Sequence, residues 1–187
     1  MSAQFQPLQR RRVQPRAADL LKVKVVAFGD PYVGKTALVR RFCDNTFSSS
    51  YSATVGVDFF CKRVTLRGKE VSMNVWDLSG QEEFSDVRSE FFKDAHAGIL
   101  FYDTTSRKSF LSLDLWLSEA MKFGGKDTQY IVCATKSESR ARAVAESEGR
   151  QWASSRGFPF IETSAFSGSG VRELFESKTF DSLMHRN

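Results

Sequence analysis

Gly29-Asp30-Pro31-Tyr32-Val33-Gly34-Lys35-Thr36 fits the pattern G-x-x-x-x-G-K-[ST], and its reading decides the fold. The apolar run 20–28 precedes it and reads as a buried strand, and the helix-compatible run 35–43 follows. A strand, a glycine-bearing loop and a helix in that order are the context this pattern requires. Gly29 and Gly34 let main-chain N–H groups approach an anion closely, and the N-terminus of the next helix adds partial positive charge. Lys35 can reach the outer phosphates of a polyphosphate, and the Thr36 hydroxyl can ligate Mg²⁺. The plain alternative is a chance glycine turn before a helix, and the flanking elements argue against it.

Moving outward, the 187 residues suit one domain with a real core, rich in aromatics through its 17 Phe. Cys43, Cys61 and Cys133 are scattered without metal-type spacing, which reads as reduced thiols packed as small apolar residues. His96 and His185 are too isolated for a metal site. No apolar run approaches the ~18 residues of a membrane span, and no signal peptide is visible. Ser2 stands where myristoylation needs glycine, and the final Met-His-Arg-Asn offers no cysteine for prenylation. The expected location is cytoplasmic, without a lipid anchor.

The net charge of +5 suggests nucleic-acid binding until it is located. Arg10, Arg11, Arg12, Arg16, Lys22 and Lys24 face Asp19 alone within the first 24 residues, so the rest of the chain is balanced. The basicity belongs to a Gln-, Arg- and Pro-rich tail, expected to be disordered over 1–18, before a domain over 19–187. A solvated arm is the bland reading of that tail, and contact with a membrane surface or RNA the sharper one. DNA is not an expected partner.

Strands are expected at 55–66 and 70–77 as a hairpin turning at Arg67-Gly68-Lys69, then at 97–103, 130–134 and 158–161. Helices are expected at 84–93, at 109–122 through Phe110, Leu113, Leu117 and Met121, at 140–156 before Gly157, and at 171–184. Such alternation means an α/β fold with a mostly parallel sheet and helices on both faces. Ligands of such sheets sit beyond the carboxyl ends of the strands. Asp77 ends one strand and is followed by Leu78-Ser79-Gly80-Gln81. It can hold Mg²⁺ beside Thr36, Gly80 can offer an N–H to a terminal phosphate, and Gln81 can orient an attacking water.

Together GDPYVGKT (29–36), ATVGVDFF (53–60), WDLSGQEEF (76–84), ILFYD (99–103) and ETSA (162–165) resemble the Ras superfamily of small GTPases, Rab branch. The resemblance runs from about residue 22 to about residue 183. The strand VCATK (132–136), the helix AESEGRQWASSRGF (145–158) and the missing prenylation cysteine look like the Rab-like branch often fused to a J domain, although no HPD-type motif is present. It implies the three-layer P-loop NTPase (small G-protein) fold, with a six-stranded sheet in which one strand is antiparallel. It implies GTP/GDP and Mg²⁺ as ligands, slow GTP hydrolysis, and effectors, an exchange factor and an activating protein as partners of a monomer. Regions of about 48–58 and 78–92 would be the two switches.

Carried over residue by residue, Gln81, Lys35, Thr54 and Gly80 would act in hydrolysis. Thr36, Thr54 and, through water, Asp77 would hold Mg²⁺. Asp30, Val33, Gly34, Lys35, Thr36, Ala37, Phe47, Thr54, Thr135, Lys136, Glu138, Ser164, Ala165 and Phe166 would contact nucleotide. Phe59, Trp76 and Phe92 match an effector-facing aromatic cluster, and as core residues they would need no explanation.

Leu78-Ser79 replaces the usual Thr-Ala with little expected effect, and four further positions depart from the family pattern. The base-reading N-K-x-D is Thr135-Lys136-Ser137-Glu138 here, so Glu138 is one methylene too long and Thr135 lacks the amide that braces the phosphate loop. Displacing one of a set of buried, paired polar groups weakens recognition, and each ~1.4 kcal/mol lost is tenfold in affinity. Phe166 replaces the usual lysine, and Pro31 removes one N–H from the cradle and crowds the entry of an arginine finger. A degenerate module that binds partners with little use of nucleotide is therefore the second reading. A P-loop kinase shares only the first motif.

Overall fold

The computed structural model describes residues 20–50, 52–124 and 127–184. The expected tail, 1–18, and the domain boundary at 19 lie outside the described residues.

Six strands, β1 (Leu21–Gly29), β2 (Val57–Leu66), β3 (Lys69–Leu78), β4 (Ala97–Asp103), β5 (Gln129–Thr135) and β6 (Phe160–Glu162), form one sheet in the order β2-β3-β1-β4-β5-β6. β2 runs antiparallel to β3 and every other pair is parallel. The fold is the expected small G-protein architecture. Arg67 and Gly68, both at positive φ (48° and 78°), make the two-residue turn between β2 and β3, the conformation that matches the twist of paired strands.

The alternation of side chains along the central strands sorts them between two cores. Val23, Val25 and Ala27 of β1 and Ile99 and Phe101 of β4 meet Leu38, Val39 and Phe42 of α1 (Lys35–Asp44) and Val171, Leu174 and Phe175 near the C-terminus. Val26, Phe28, Leu100 and Tyr102 face the opposite way, against Leu113, Trp116, Leu117 and Ala120 of α4 (Leu113–Phe123) and Ala153 of α5 (Glu146–Ser154).

Several helix boundaries differ from expectation. The segment expected as one helix over 84–93 is a 3₁₀ turn (Glu82–Phe84) and a short helix α2 (Ser85–Ser89). Before α4 the chain makes a separate short helix, α3 (Arg107–Leu111), and the apolar stripe of α4 is Leu113, Trp116, Leu117 and Ala120, with Met121 exposed. Residues 140–145 are not helical because the N–H groups of Ala143 and Val144 both donate to the Thr104 carbonyl. α5 begins where Glu148 accepts from the Ala145 N–H, half of a capping box. The last helix widens into a π-helical stretch over Glu173–Lys178, where the Thr179 N–H and hydroxyl both donate to the Leu174 carbonyl, before α6 (Thr179–Met184). The cysteines also divide: Cys133 is buried in β5, whereas Cys61 is exposed on β2 and not the core residue expected.

Leu100 is fully buried in the central strand β4. Leu100→Ala should lower unfolding free energy by about 2–5 kcal/mol. The check is a shifted denaturant midpoint at unchanged slope, and a loss under ~1 kcal/mol would contradict this packing.

Candidate functional site

β1 and β3 pair with Ala27 opposite Asp77, so the loop leaving β1 and the residues leaving β3 meet at one end of the sheet. Gly29 (φ 141°) and Gly34 (φ 92°) turn the loop in conformations that side chains disfavour. Tyr32, at φ 65° and without that excuse, shares the left-handed region and stays exposed.

Lys35 opens α1 and is only 6% exposed. Its ammonium donates to the carbonyls of Gly29 and Asp30, both at 2.8 Å. Burial pulls its pKa down to about 8, opposed by the negative charges of Asp77 and Asp30. Asp77 is fully buried, and burial raises its pKa against the pull of Lys35 and of two hydroxyls. Those hydroxyls are Thr36, which donates to Asp77 Oδ2 at 2.5 Å, and Thr54, 3.4 Å from the same oxygen. They lie 2.9 Å from each other. Asp77 Oδ1 is buried with no hydrogen-bond partner. A buried carboxylate oxygen without a donor is expensive. An orphan oxygen beside two hydroxyls is a donor set of hard oxygens suited to Mg²⁺. Thr36, Thr54 and Asp77 therefore fit that ion.

A cavity of about 390 Å³ opens over this group. Pro31, Tyr32, Gly34, Lys35, Thr36 and Ala37 line it from the loop and α1, Phe47 and Thr54 from the segment before β2, Gly80 and Gln81 from beyond β3, and Lys136 from beyond β5. Gly80 sits hard against the loop: a Cβ there would meet the Pro31 nitrogen, and the Asp30 carbonyl carbon at 2.5 Å. A larger, more open hollow of about 700 Å³ lies between α1, β2 and the C-terminal helix, lined among others by Arg41, Lys62, Arg63 and Arg172. It contains none of these loop residues, and the smaller cavity is the one with the chemistry.

Apart from Lys136, which shares the wall, the remaining expected residues fall around the cavity. Thr135 replaces the brace it was expected to lose: its hydroxyl donates to the Val33 carbonyl at 2.5 Å and lies 3.2 Å from that of Tyr102. Lys136, at φ 58°, donates to the Tyr32 carbonyl (3.1 Å) and to Asp103 Oδ2 (2.5 Å). Glu138 is exposed and bonds to no described residue. The loop after β6 is tied by the Gly168 N–H to the Ser164 carbonyl and by the Ser167 N–H to the Ser164 hydroxyl. Next to Ala165, Phe166 is 63% exposed, its ring edge-on to Phe47 at 5.6 Å, and its carbonyl accepts from Arg41.

Two arrangements were not foreseen. The Asp30 carboxylate does not line the cavity: it accepts from the Trp116 indole at 2.6 Å and the Ser112 hydroxyl at 3.0 Å. The surface aromatic group is Phe59, Trp76 and Phe91, with ring centres 4.7 and 5.0 Å apart. Phe92, expected in it, is buried against Phe28. The helix-like spacing over 84–93 gives no signal for which of two adjacent phenylalanines faces out.

A family model described as Ras family matches residues 24–183. The chain is 41% identical over 176 residues to DnaJ homolog subfamily C member 27 of Danio rerio, covering 91% of this chain and 63% of that protein. It is 40% identical over 163 residues to the protein of that name from Rattus norvegicus, covering 84% and 60%. With DnaJ homolog subfamily C member 27-A of Xenopus laevis it shares 39% over 176 residues, covering 91% and 63%. The chain thus spans about three fifths of the length of these relatives.

Gly80→Ala forces two main-chain segments apart and should cost about 1–3 kcal/mol of stability, read from a denaturation midpoint. A variant as stable as the parent would mean that these loops do not touch.

Proposed function

The chain belongs to the Ras family, and we propose that it acts there as a guanine-nucleotide switch that binds GTP and GDP with Mg²⁺ and hydrolyses GTP slowly. Its relatives' shared name agrees with the resemblance to the Rab-like branch fused to a J domain. The observation that carries the proposal is the buried group beneath the cavity: one ammonium, two hydroxyls and a carboxylate with an orphan oxygen.

On this reading Lys35 exchanges its carbonyl partners for β- and γ-phosphate oxygens, and main-chain N–H groups of the loop hold the rest of the polyphosphate. Thr36 and Thr54, with Asp77 behind them through water, would hold the metal, which when bound would supply neutralisation of phosphate charge. The Gly80 N–H meets the γ-phosphate and Gln81 orients the water. A bond forms from the water oxygen to the γ-phosphorus while the bond to the β–γ bridging oxygen breaks, giving GDP and phosphate. The protein's contribution is position and fixed charge. Phe47 and Phe166 flank the base, Lys136 and Thr135 brace the phosphate loop, and Ser164 and Ala165 supply main chain toward guanine. Ordering of residues about 48–58 and 78–92 by the γ-phosphate would set partner choice through the Phe59, Trp76 and Phe91 surface. Among the described residues no helix is long and apolar enough to cross a membrane, which is compatible with a cytoplasmic switch.

Glu138, exposed and bonded to no described residue where the family reads the base, favours the second reading, a binding module that has lost its nucleotide. Chromatography of nucleotide released from heat-denatured protein separates the two. Near one equivalent of GDP or GTP supports the switch, and an empty site supports the module. Given a filled site, Gln81→Leu should slow single-turnover GTP hydrolysis ~10- to 100-fold with GDP affinity kept. An unchanged rate removes Gln81 from the mechanism.

The depressed Lys35 pKa makes binding depend on pH. In the free protein the group releases its proton at about 8, below the 10.5 of an ordinary lysine. Its charged form is therefore a cost to the fold that is full below about 8 and is relieved as pH rises from there toward 10.5. Polyphosphate favours the ammonium and reverses the shift. Calorimetry of Mg·GDP binding in buffers of different ionisation enthalpy should show proton uptake near pH ~9 that fades by pH ~6.5. Uptake absent at both values would mean that Lys35 does not meet phosphate.

A further inference from the structure

Arg88 is a buried cation, 4% exposed, on the five-residue helix α2. Its guanidinium grips both carboxylate oxygens of Glu119 on α4, at 2.6 and 2.9 Å. The same group lies 4.5 Å over the Trp116 indole. Its remaining arm, Nη1, donates to the Gln81 carbonyl at 2.6 Å. Trp116 in turn donates to Asp30 inside the phosphate loop. Burying an ion pair is costly, and an apolar side chain would fill the same space more cheaply. What an apolar residue cannot do is spread a rigid fork over a carboxylate, a ring and a carbonyl at once.

The carbonyl it holds belongs to a residue that lines the cavity. Among the described residues Gln81 is otherwise held through its main chain: its N–H donates to the Ser79 hydroxyl at 3.3 Å, and its carbonyl accepts from the Phe84 N–H at 3.3 Å. No described residue bonds the Gln81 side chain, and Gln81 lines the cavity. α4 carries both grips, one on Gln81 through Glu119 and Arg88, the other on the phosphate loop through Trp116 and Asp30. It therefore sets the separation between them.

We propose that Arg88 is a positioning residue for GTP hydrolysis, fixing Gln81 against the phosphate loop from a mount of Glu119 and Trp116 on α4. This rests on the hydrolytic switch proposed above. Misplacement of a reacting group by about 1 Å can cost ~100-fold in rate without touching ground-state binding. Loss of Arg88 should therefore divide catalysis from affinity.

The test compares single-turnover GTP hydrolysis and GDP affinity in the whole chain for wild type, Arg88→Ala, Arg88→Lys, Gln81→Leu and the Gln81→Leu/Arg88→Ala pair. Arg88→Ala should slow hydrolysis ~10- to 100-fold while the GDP dissociation constant stays within about twofold. Arg88→Lys keeps the charge without the fork and should recover only part of the rate. Added to Gln81→Leu, Arg88→Ala should slow the reaction no further, because one group acts through the other. An additive loss in the pair, or an Arg88→Ala rate equal to wild type, overturns the positioning role and leaves the switch standing. A wild type that binds GDP yet never turns over GTP overturns hydrolysis and positioning together. If Arg88→Ala does not fold, Glu119→Gln keeps the volume and slackens the grip, and an unchanged rate there sinks the proposal equally.

Discussion

Two opposite charges forced out of water, Lys35 and Asp77, are the constraint on which the site depends. Neither is well served by the fold: burial drives the ammonium toward its neutral form and the carboxyl toward its own. Lys35 settles for two carbonyls, and Asp77 keeps one oxygen that no described residue bonds. A chain selected for stability alone would replace both with apolar residues. The pairing of Ala27 with Asp77 in adjacent parallel strands brings the two groups to one end of the sheet, and the rest of the cavity is arranged around them. Partners that would satisfy both at once are a polyanion on the ammonium and a hard cation at the hydroxyls and carboxylate.

Supports of the phosphate loop come from far along the chain, and they explain why a changed motif need not mean a loosened loop. Thr135 reaches the Val33 carbonyl, Lys136 the Tyr32 carbonyl, and Trp116 and Ser112 the Asp30 carboxylate. Thr135 exchanges an amide for a hydroxyl and keeps the bond that matters for the loop. Glu138 has no such compensation, since its carboxylate meets no donor among the described residues. The two departures in the base-reading motif thus divide into one that the structure repairs and one that it leaves open.

What was legible in the sequence was local or periodic. The loop motif, the strand-ending Asp77 and the alternation of β1 between two cores follow from residues a few positions apart. The hairpin turn at Arg67-Gly68 was as readable. The misreadings share a cause in tertiary contact. The turn to non-helical chain over 140–145 is imposed by Thr104, and the choice of Phe91 over Phe92 for the surface is set by packing against Phe28. Asp30 and Trp116 are 86 residues apart. Spacing alone phases the helical stripe through Met121, which is exposed, one position from the buried Ala120, and so passes over Trp116. No spacing rule reports which way a carboxylate in a loop will turn.

The surface aromatic group and the buried charges are not independent. Trp76 precedes Asp77 on β3, with its ring on Phe59 of β2 and on Phe91. The register sets Phe59 opposite Trp76 and Asp58 opposite Asp77. Just before β2, the Gly56 carbonyl accepts from the Ser79 N–H, while Thr54 reaches back to Thr36 and Asp77. Any ligand that draws the Thr54 hydroxyl toward itself therefore pulls on a chain joined within two residues to Gly56, Ser79 and the strand bearing Phe59. Under the proposed reading, the presence of a γ-phosphate would be reported at the aromatic face through this short covalent path. The rigid sheet behind it leaves only the segments before β2 and after β3 free to respond, so the movement would stay local to the face a partner would contact.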